Sequence, residues 1–432
     1  MNAKIQSRIT HLGALLSLSL LAACSPDQPA AQAQAQTPAE PAQQQAQPAA
    51  AGVTVFEGAR LIVGDASAPI ENGVLVIEDG LIAAAGPAGQ VEVPAGATTV
   101  DVTGATIMPA IIDTHVHLNR ERDALVEDLR ARARFGVGAA VSMGQDEGEA
   151  VFQVQQEVIP GAARYLTAGR GFSAPEPGRS EIPHWVTDAE EARAAVREEA
   201  GLGVDIIKIW VDDRNGQYDK LAPDVYRAII DEAHMHDLQV TAHIFNLADA
   251  KDLLDAGVDH FAHGVRDVDV DEEFLQMVSE RPNLVLGANL PDPGTARDVS
   301  WLQGQIPDDT FQQLQEAAAN ANAEPSEAFS LQARNLVAMH EVGVTVALGT
   351  DGNTPWGPHL EMEDMVRAGL SPADVITAAT ANGATALGLA GMGTLEAGKS
   401  ADFIVLDANP LDDITNTRMI RDVYLRGERV ER

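Results

Sequence analysis

The chain has 432 residues, of which 64 are acidic and 29 are basic, so its formal net charge at pH 7 is −35. This charge argues against nucleic acid or an anionic membrane surface as a binding partner. The single cysteine, Cys24, excludes an internal disulfide. The length leaves room for a large α/β barrel together with a smaller domain.

The first 24 residues have the pattern of a bacterial lipoprotein signal peptide. Lys4 and Arg8 precede the apolar run LGALLSLSLLAA, which is too short for an ordinary membrane span. The run ends in LAAC, which resembles a lipobox and predicts lipidation at Cys24. An ordinary signal peptide or a buried hydrophobic helix is the alternative. Because Ser25 follows instead of aspartate, the resemblance favours an outer-membrane lipoprotein that faces the periplasm, or another extracytoplasmic location.

Residues 25–51 consist almost entirely of proline, alanine, glutamine and a few polar residues. Such a composition cannot bury a core, so the segment is predicted to be a disordered tether. The expected membrane contact is therefore limited to the N-terminal lipid anchor.

Short strands are predicted at both ends of the remaining chain. Apolar runs broken by Asn-Gly and Asp-Gly, as in NGVLVIEDGLIAAAG, are typical of hairpins. The runs ADFIVLDANP and RDVYLRGERVE near the C-terminus have the same character. We therefore expect residues 52–108 and 395–432 to pair into one composite β-sandwich.

Between these ends, residues 109–394 alternate apolar strands with amphipathic helices, the pattern of βαβ units. The eight candidate strands are AIIDTHVHL, GAAVSMG, ARYLTAGR, DIIKIWV, QVTAHIF, DHFAHGV, NLVLGAN and VTVALGTD. Eight such strands predict an α/β fold of the (β/α)8 TIM-barrel type. An open doubly wound sheet is the competitor, but its Gly-rich turn after the first strand is missing.

Side chains that can bind metals fall on or just after five of these strands. His115 and His117 lie two residues apart on one strand, so they point to the same face. Lys208 interrupts the apolar run DIIKIWV, where an ammonium must find a partner, become neutral or be modified. Functional side chains of a barrel gather at the carboxyl ends of its strands. The sequence therefore predicts a metal site, the rim cluster, made of His115, His117, Lys208, His243, His263 and Asp351.

The motifs IDTHVH, IIKIW, TAHI, FAHG and LGTD, in this order, resemble the amidohydrolase superfamily. The C-terminal run TANGATALGLAGMGTLEAGKSADFIVLDANP strengthens the resemblance, which covers residues 52–432. Within the superfamily, the pattern is most similar to the imidazolonepropionase-like branch that includes Xaa-Pro dipeptidases and ochratoxin-hydrolysing amidases.

The resemblance implies a binuclear metal site. His115, His117 and Asp351 would hold one divalent cation, and His243 and His263 the second. Lys208 matches the family's carboxylated lysine, whose CO2-derived carbamate bridges the two ions. Zinc suits this donor set best, although manganese, cobalt and iron are compatible with it.

The implied activity is hydrolysis of an amide C–N bond in a small N-acyl amino acid or dipeptide by a metal-bound hydroxide. Asp351 would take a proton from the attacking water and return it to the leaving amine. The same site would also suit a lactone, ester or phosphotriester. A non-catalytic envelope lipoprotein that binds ligand or metal is the alternative from another class.

Substrate contacts are predicted from position alone. Arg170 and His184 follow the third barrel strand, Tyr218 follows the fourth and Arg266 follows the sixth, so these four are the candidates. His359, after the last strand, is a weaker one. The expected partner is a small-molecule substrate, and the sequence leaves open whether the chain forms a homo-oligomer.

Overall fold

The structure, a computed structural model, describes residues 52–432. The predicted signal peptide, the tether and Cys24 lie outside the described residues and stay predictions. Within the described part of the chain, no helix is both long enough and apolar enough to cross a membrane.

The described chain alternates strands and helices. The strands are β1 (Val53–Leu61), β2 (Ile70–Glu78), β3 (Leu81–Pro87), β4 (Thr98–Asp101), β5 (Thr106–Pro109), β6 (Ile111–Val116), β7 (Val137–Ser142), β8 (Arg164–Thr167), β9 (Phe172–Ser173), β10 (His184–Trp185), β11 (Ile207–Val211), β12 (Val240–Ile244), β13 (His260–Phe261), β14 (Val285–Gly287), β15 (Thr345–Ala347), β16 (Phe403–Leu406), β17 (Ile420–Leu425) and β18 (Glu428–Arg429). The helices are α1 (Arg122–Arg134), α2 (Glu149–Gln155), α3 (Ala189–Leu202), α4 (Pro223–Met235), α5 (Leu247–Ala256), α6 (Glu272–Ser279), α7 (Asp308–Ala319), α8 (Glu327–Glu341), α9 (Gly357–Ala368), α10 (Pro372–Thr377) and α11 (Gly383–Ala386).

The two ends of the described chain contribute to one sheet. Its strand order is β18-β17-β16-β5-β1-β2-β3, with β4 paired to β1. The N-terminal and C-terminal strands meet where β5 pairs antiparallel with β16. Phe56 packs edge-on against Phe403 and Tyr424, with ring centroids 5.1 and 5.0 Å away, so strands from both ends share a core. The predicted domain boundaries and the sandwich form remain predictions.

Eight parallel strands, β6, β7, β8 and β11 to β15, coincide with the eight predicted from the sequence. They lie in two hydrogen-bonded sheets, β6-β7-β8 and β10-β9-β11-β12-β13-β14-β15, rather than in one closed ladder. Backbone hydrogen bonds join the sheets at both junctions: Asp205 N donates to Thr167 O, and Thr114 N to Leu348 O, each at 2.9 Å. The predicted α/β barrel class is thereby confirmed.

Local sequence explains where the elements start and stop. Each residue of β11 and β12 is buried, as expected for apolar strands covered on both faces. Helix α3 begins after Asp188, whose side chain accepts hydrogen bonds from the backbone N–H groups of Glu190 and Glu191. It ends at Gly203, which has a left-handed φ of 85°. These two signals fix where α3 begins and ends between β10 and β11.

Candidate active site

Three residues of the rim cluster form a compact group of metal-binding side chains. Asp351 Oδ1 lies 3.3 Å from His115 Nε2 and 3.1 Å from His117 Nε2. One ligand atom from each residue can be chosen so that all lie within 4.8 Å of one another. Nε2 of His115 and Nδ1 of His117 are buried and find no hydrogen-bond partner within residues 52–432. This His-His-Asp group could therefore hold a metal ion.

The backbone at Asp351 directs its carboxylate toward the histidines. Its φ is 51°, in the left-handed region that aspartate enters more readily than most residues. Its backbone N–H donates to His115 O at 2.8 Å. Burial opposes ionisation, yet the hydrogen bond with His117 and the nearby charge of Lys208 hold the pKa of Asp351 below its ordinary value. The carboxylate is thus ionised in the folded protein.

His243 and His263 complete a ring of imidazoles beside this group. The ring centroid of His263 lies 4.7 Å from that of His243 and 5.0 Å from that of His115. Burial lowers the pKa of His115 and His263 well below the usual value, and it lowers the pKa of His243 to about 4. These rings are therefore neutral near pH 7, the form in which histidine binds metals.

Lys208 is the second residue of β11, and its side chain is completely buried. Nζ lies 5.5 Å from the ring centroid of Trp210, and it has no hydrogen-bond partner among the described residues. Burial lowers its pKa to about 7, against a partial opposing effect of Asp351. Among the described residues, the Lys208 amine and the histidine nitrogens named above lack hydrogen-bond partners. Buried polar atoms normally have partners, so these atoms fit a site that binds metal ions.

Asn289, just after β14, holds two of the histidines. Its Nδ2 lies 2.9 Å from His115 Nδ1 and 3.3 Å from His263 Nδ1, and it also donates to Ala262 O. The side chain is buried. Because Nδ2 carries two hydrogens, Asn289 can donate to only one Nδ1 at a time besides Ala262 O; the shorter contact is with His115, whose Nε2 faces Asp351.

Asp212, one residue after β11, has the corresponding role for His243. Its Oδ2 lies 3.0 Å from His243 Nε2 and 2.7 Å from Nη1 of Arg214, which is also bonded through Nε to Glu176. Burial opposes ionisation, but the hydrogen bonds with His243 and with the backbone N–H of Arg214 lower the pKa of Asp212. Because Asp212 occupies Nε2, Nδ1 is the ring nitrogen that His243 can offer to a ligand.

A buried carboxylate, Asp113, connects the two chain segments that carry the His-His-Asp group. It accepts hydrogen bonds from the backbone N–H groups of His115 and Thr350 at 3.2 and 3.1 Å, and from Thr350 Oγ1 at 2.8 Å. The completely buried Arg132 approaches from α1 and donates to Gly352 O. Asp113 therefore positions the ligand-bearing segments against each other.

We expect Asp113→Ala to lower the free energy of unfolding by about 1–3 kcal/mol, because the buried backbone N–H of His115 would lose its acceptor, whereas Thr350 N–H can still donate to His115 O. Urea denaturation of the metal-free protein measures this change. Asp113→Asn, which keeps one acceptor oxygen, should lose less. A loss below about 1 kcal/mol for the alanine variant would show that Asp113 does not hold these segments together.

The structure gives His184 and Arg170 contacts within the protein. His184 Nε2 lies 2.7 Å from a carboxylate oxygen of the completely buried Glu199, and its ring stacks on Phe172. Arg170 Nε donates to Ile182 O at 2.6 Å. Both side chains organise the loop after β8, and these contacts add no support to their predicted role in substrate binding.

Tyr218 and Arg266, the other two predicted substrate contacts, differ from each other. The Tyr218 hydroxyl donates to Pro177 O at 3.3 Å and joins two loops. Arg266 is largely buried, and its Nε has no partner within the described part of the chain. Burial lowers the pKa of Arg266, and the negative charges of Asp351 and Asp212 partly oppose this shift. Arg266 lies near Asp351 and Asp212, and its Nε has no hydrogen-bonded carboxylate among the described residues. Of the four candidates, it is therefore the one whose charge could pair with a substrate.

His359 lies away from the rim cluster. Its Nδ1 and Nε2 pair with Thr417 Oγ1 at 3.0 Å and with Phe135 O at 2.9 Å. The ring is completely enclosed, which lowers its pKa to about 4. These contacts join helix α9 to the segment before β17, so the role of His359 is structural.

Comparison with known proteins gives the family. Residues 106–430 match the model of the amidohydrolase family. Ochratoxinase from Aspergillus niger is 27% identical over 426 residues, covering 84% of this chain and 83% of that protein. Imidazolonepropionase from Agrobacterium fabrum is 27% identical over 384 residues, covering 79% and 86%. The crystal structure of a candidate prolidase from Bifidobacterium longum superposes with a TM-score of 0.72 at 28% identity, covering 88% of this chain and 95% of that one.

These matches confirm the resemblance predicted from the sequence, including the branch with imidazolonepropionase and prolidases. The match to the family model extends from β5 into the C-terminal strand, so it includes the whole rim cluster. The chain belongs to the amidohydrolase family and is a hydrolase acting on carbon–nitrogen bonds.

Proposed function

We propose that the protein is a binuclear metal-dependent amidohydrolase that cleaves the amide bond of a small N-acyl amino acid or dipeptide. The observation that carries this proposal is the rim cluster itself. Four neighbouring imidazoles and an ionised carboxylate lie near a completely buried lysine amine that has no hydrogen-bond partner within residues 52–432. The names of the similar proteins, ochratoxinase and a candidate prolidase, agree with an amide substrate.

Lys208 is proposed to carry a carbamate. With a pKa lowered to about 7, a large share of the amine is neutral near pH 7, and the neutral amine is the nucleophile that adds CO2. A nitrogen–carbon bond forms and the nitrogen loses a proton, which turns the amine into a carboxylate-like anion. This anion supplies two oxygen donors at the centre of the rim cluster.

In this proposal His115, His117 and Asp351 would hold one cation, His243 and His263 would hold the other, and a carbamate on Lys208 would serve both. Neutral imidazoles and carboxylates suit zinc, and they are also compatible with manganese, cobalt or iron. When bound, two such ions supply Lewis acidity for the scissile carbonyl and lower the pKa of a water molecule. Asn289 and Asp212 keep the histidine rings oriented for this purpose.

Asp351 is proposed to move the proton during hydrolysis. Its ionised carboxylate can accept the proton of the attacking water and then donate that proton to the leaving amine. Arg266 is proposed to pair with the substrate carboxylate, since its buried guanidinium has an unpartnered Nε among the described residues. In the overall reaction one water and one amide are consumed, the amide C–N bond breaks, and one carboxylic acid and one amine are released.

The proposed location is the bacterial envelope, with attachment through a lipid on Cys24. This proposal rests on the sequence, because the N-terminal segment lies outside the described residues. A purified protein that lacks residues 1–51 should therefore retain the complete catalytic site.

A substrate screen tests the proposed function. Zinc-loaded protein without residues 1–51 is assayed against N-acyl amino acids, dipeptides, lactones and phosphotriesters, with Asp351→Asn as the control. We expect cleavage within the first two groups, and cleavage by the control that is slower by about 100-fold or more. Cleavage of a lactone, ester or phosphotriester without any amide would refute the proposed substrate class.

A further inference from the structure

Trp210 lies against Lys208 on strand β11. The two residues are two positions apart, so their side chains point to the same face of the strand. Ile207, Ile209 and Val211, on the other face, pack in the core that includes side chains of helix α4. Trp210 is only 8% exposed, and its ring centroid lies 5.5 Å from Lys208 Nζ. Because Trp210 is nearer the carboxyl end of β11, it covers Lys208 on the side of the rim cluster.

Two glycines give the indole ring its place. A Cβ atom at Gly144 would lie 2.6 Å from Cη2 of Trp210 and 2.9 Å from Cγ of Lys208. A Cβ atom at Gly171 would overlap Cζ3 of Trp210 and lie 2.9 Å from Lys208 O. Gly171 N donates to Gly144 O at 2.9 Å, which holds the two glycines side by side. The ring reaches its position because neither residue has a side chain.

The other side of Lys208 is apolar. Ile206, two residues before Lys208, packs in a buried cluster with Met143 and Ala168. The lysine is therefore enclosed between an aliphatic layer and an indole ring, and its residue is completely buried. An ammonium would be attracted to the face of this ring. A carbamate nitrogen has no positive charge, so for the modified lysine the ring acts mainly by excluding water.

We propose that Trp210 is a positioning residue that retains the carbamate on Lys208. This inference rests on the proposed function, because it assumes the modified lysine. The carbamate is lost when its nitrogen gains a proton and the nitrogen–carbon bond breaks, which releases CO2 and restores the amine. That proton must come from water or acid that reaches Nζ. A ring fixed over the lysine slows this step.

Retention of a labelled carbamate tests the proposal. Purified protein is loaded with zinc and carbon-13-labelled bicarbonate and then transferred to buffer without CO2. Carbon-13 NMR follows the label on Lys208, and elemental analysis follows the zinc. We expect Trp210→Ala to lose the label faster than wild type by about tenfold or more, which corresponds to about 1.4 kcal/mol in the barrier. Saturating bicarbonate should restore the zinc content of W210A, a recovery that a misfolded site would not show.

Two further variants complete the experiment. Trp210→Phe keeps a ring but lacks the part of the indole that lies beside the glycines, so its rate of label loss should fall between those of wild type and W210A. If W210A does not fold, W210F carries the test alone. Trp185→Ala is the matched control, because that indole donates to Ser180 O at 3.2 Å in the loop after β8. It should retain the label as wild type does.

Equal rates of label loss in wild type and both Trp210 variants would overturn the proposal, as would a zinc deficit in folded W210A that bicarbonate does not correct. Absence of label from wild-type Lys208 would overturn it too. Amide cleavage by the wild type tests the proposed function separately. Faster label loss in W210A without cleavage of any amide would support the role of Trp210 and refute the amidase. Amide cleavage with equal rates of label loss would do the reverse.

Discussion

Lys208→Ala is expected to reduce the metal content from two ions per chain to one or none and to lower kcat/KM by about 100-fold or more. Its carbamate is the proposed ligand shared by both ions, and losing one ion removes several kcal/mol of transition-state stabilisation. Lys208 is completely buried, and its Nζ has no hydrogen-bond partner among the described residues. Elemental analysis of zinc-loaded protein, together with steady-state kinetics, measures both effects.

Two further variants make this result specific. Lys208→Met keeps an apolar side chain of similar length, so it separates metal loss from the cavity that alanine leaves. Lys220→Ala removes a lysine that pairs with Asp249 at 2.6 Å outside the rim cluster, and it should behave as wild type. Full metal content in both Lys208 variants would contradict the bridging role.

Asp351→Asn is expected to lower kcat by about 10²–10⁴-fold, the usual contribution of a general acid–base group. The amide has nearly the same shape but can neither accept the water proton nor return it to the leaving amine. Because the oxygen of the amide can still approach a cation, metal content should fall less than turnover. Stopped assays on the best amide substrate and elemental analysis give the two numbers.

Asp237→Asn is the matched control for this variant. Asp237 is exposed, and its left-handed φ of 57° is close to the 51° of Asp351. Asp237→Asn therefore places asparagine in the same backbone conformation outside the site. It should leave turnover and metal content unchanged. Turnover of Asp351→Asn within about threefold of wild type would exclude proton transfer by this residue.

The barrel could be predicted because its strands are short apolar runs that turn signals separate. β11 and β12 are buried along their whole length, and β11 is apolar except for Lys208, which makes that residue informative. Lys208 stands out for that reason, whereas His243 was predicted from its place at the end of a strand. The division of the parallel strands into two hydrogen-bonded sheets could not be predicted, because it depends on register at the β8–β11 and β6–β15 junctions.

The residues that orient the site were missed for a different reason. Asn289 and Asp212 follow strands in loops, where polar residues are common, and nothing in their spacing points to a histidine. Their role becomes visible only through their distances to His115 and His243. Conversely, position alone suggested that His184 contacts substrate, whereas the fold pairs it with a carboxylate on α3.

An anomalous-difference map from zinc-loaded crystals, recorded at the zinc absorption edge, tests the central claim most directly. The account predicts two peaks per chain within the rim cluster, one bonded to His115, His117 and Asp351 and the other to His243 and His263. Continuous electron density should extend from Lys208 Nζ as a carbamate between them. A single peak, or two peaks beside an unmodified Lys208, would contradict the binuclear site on which the proposed function rests.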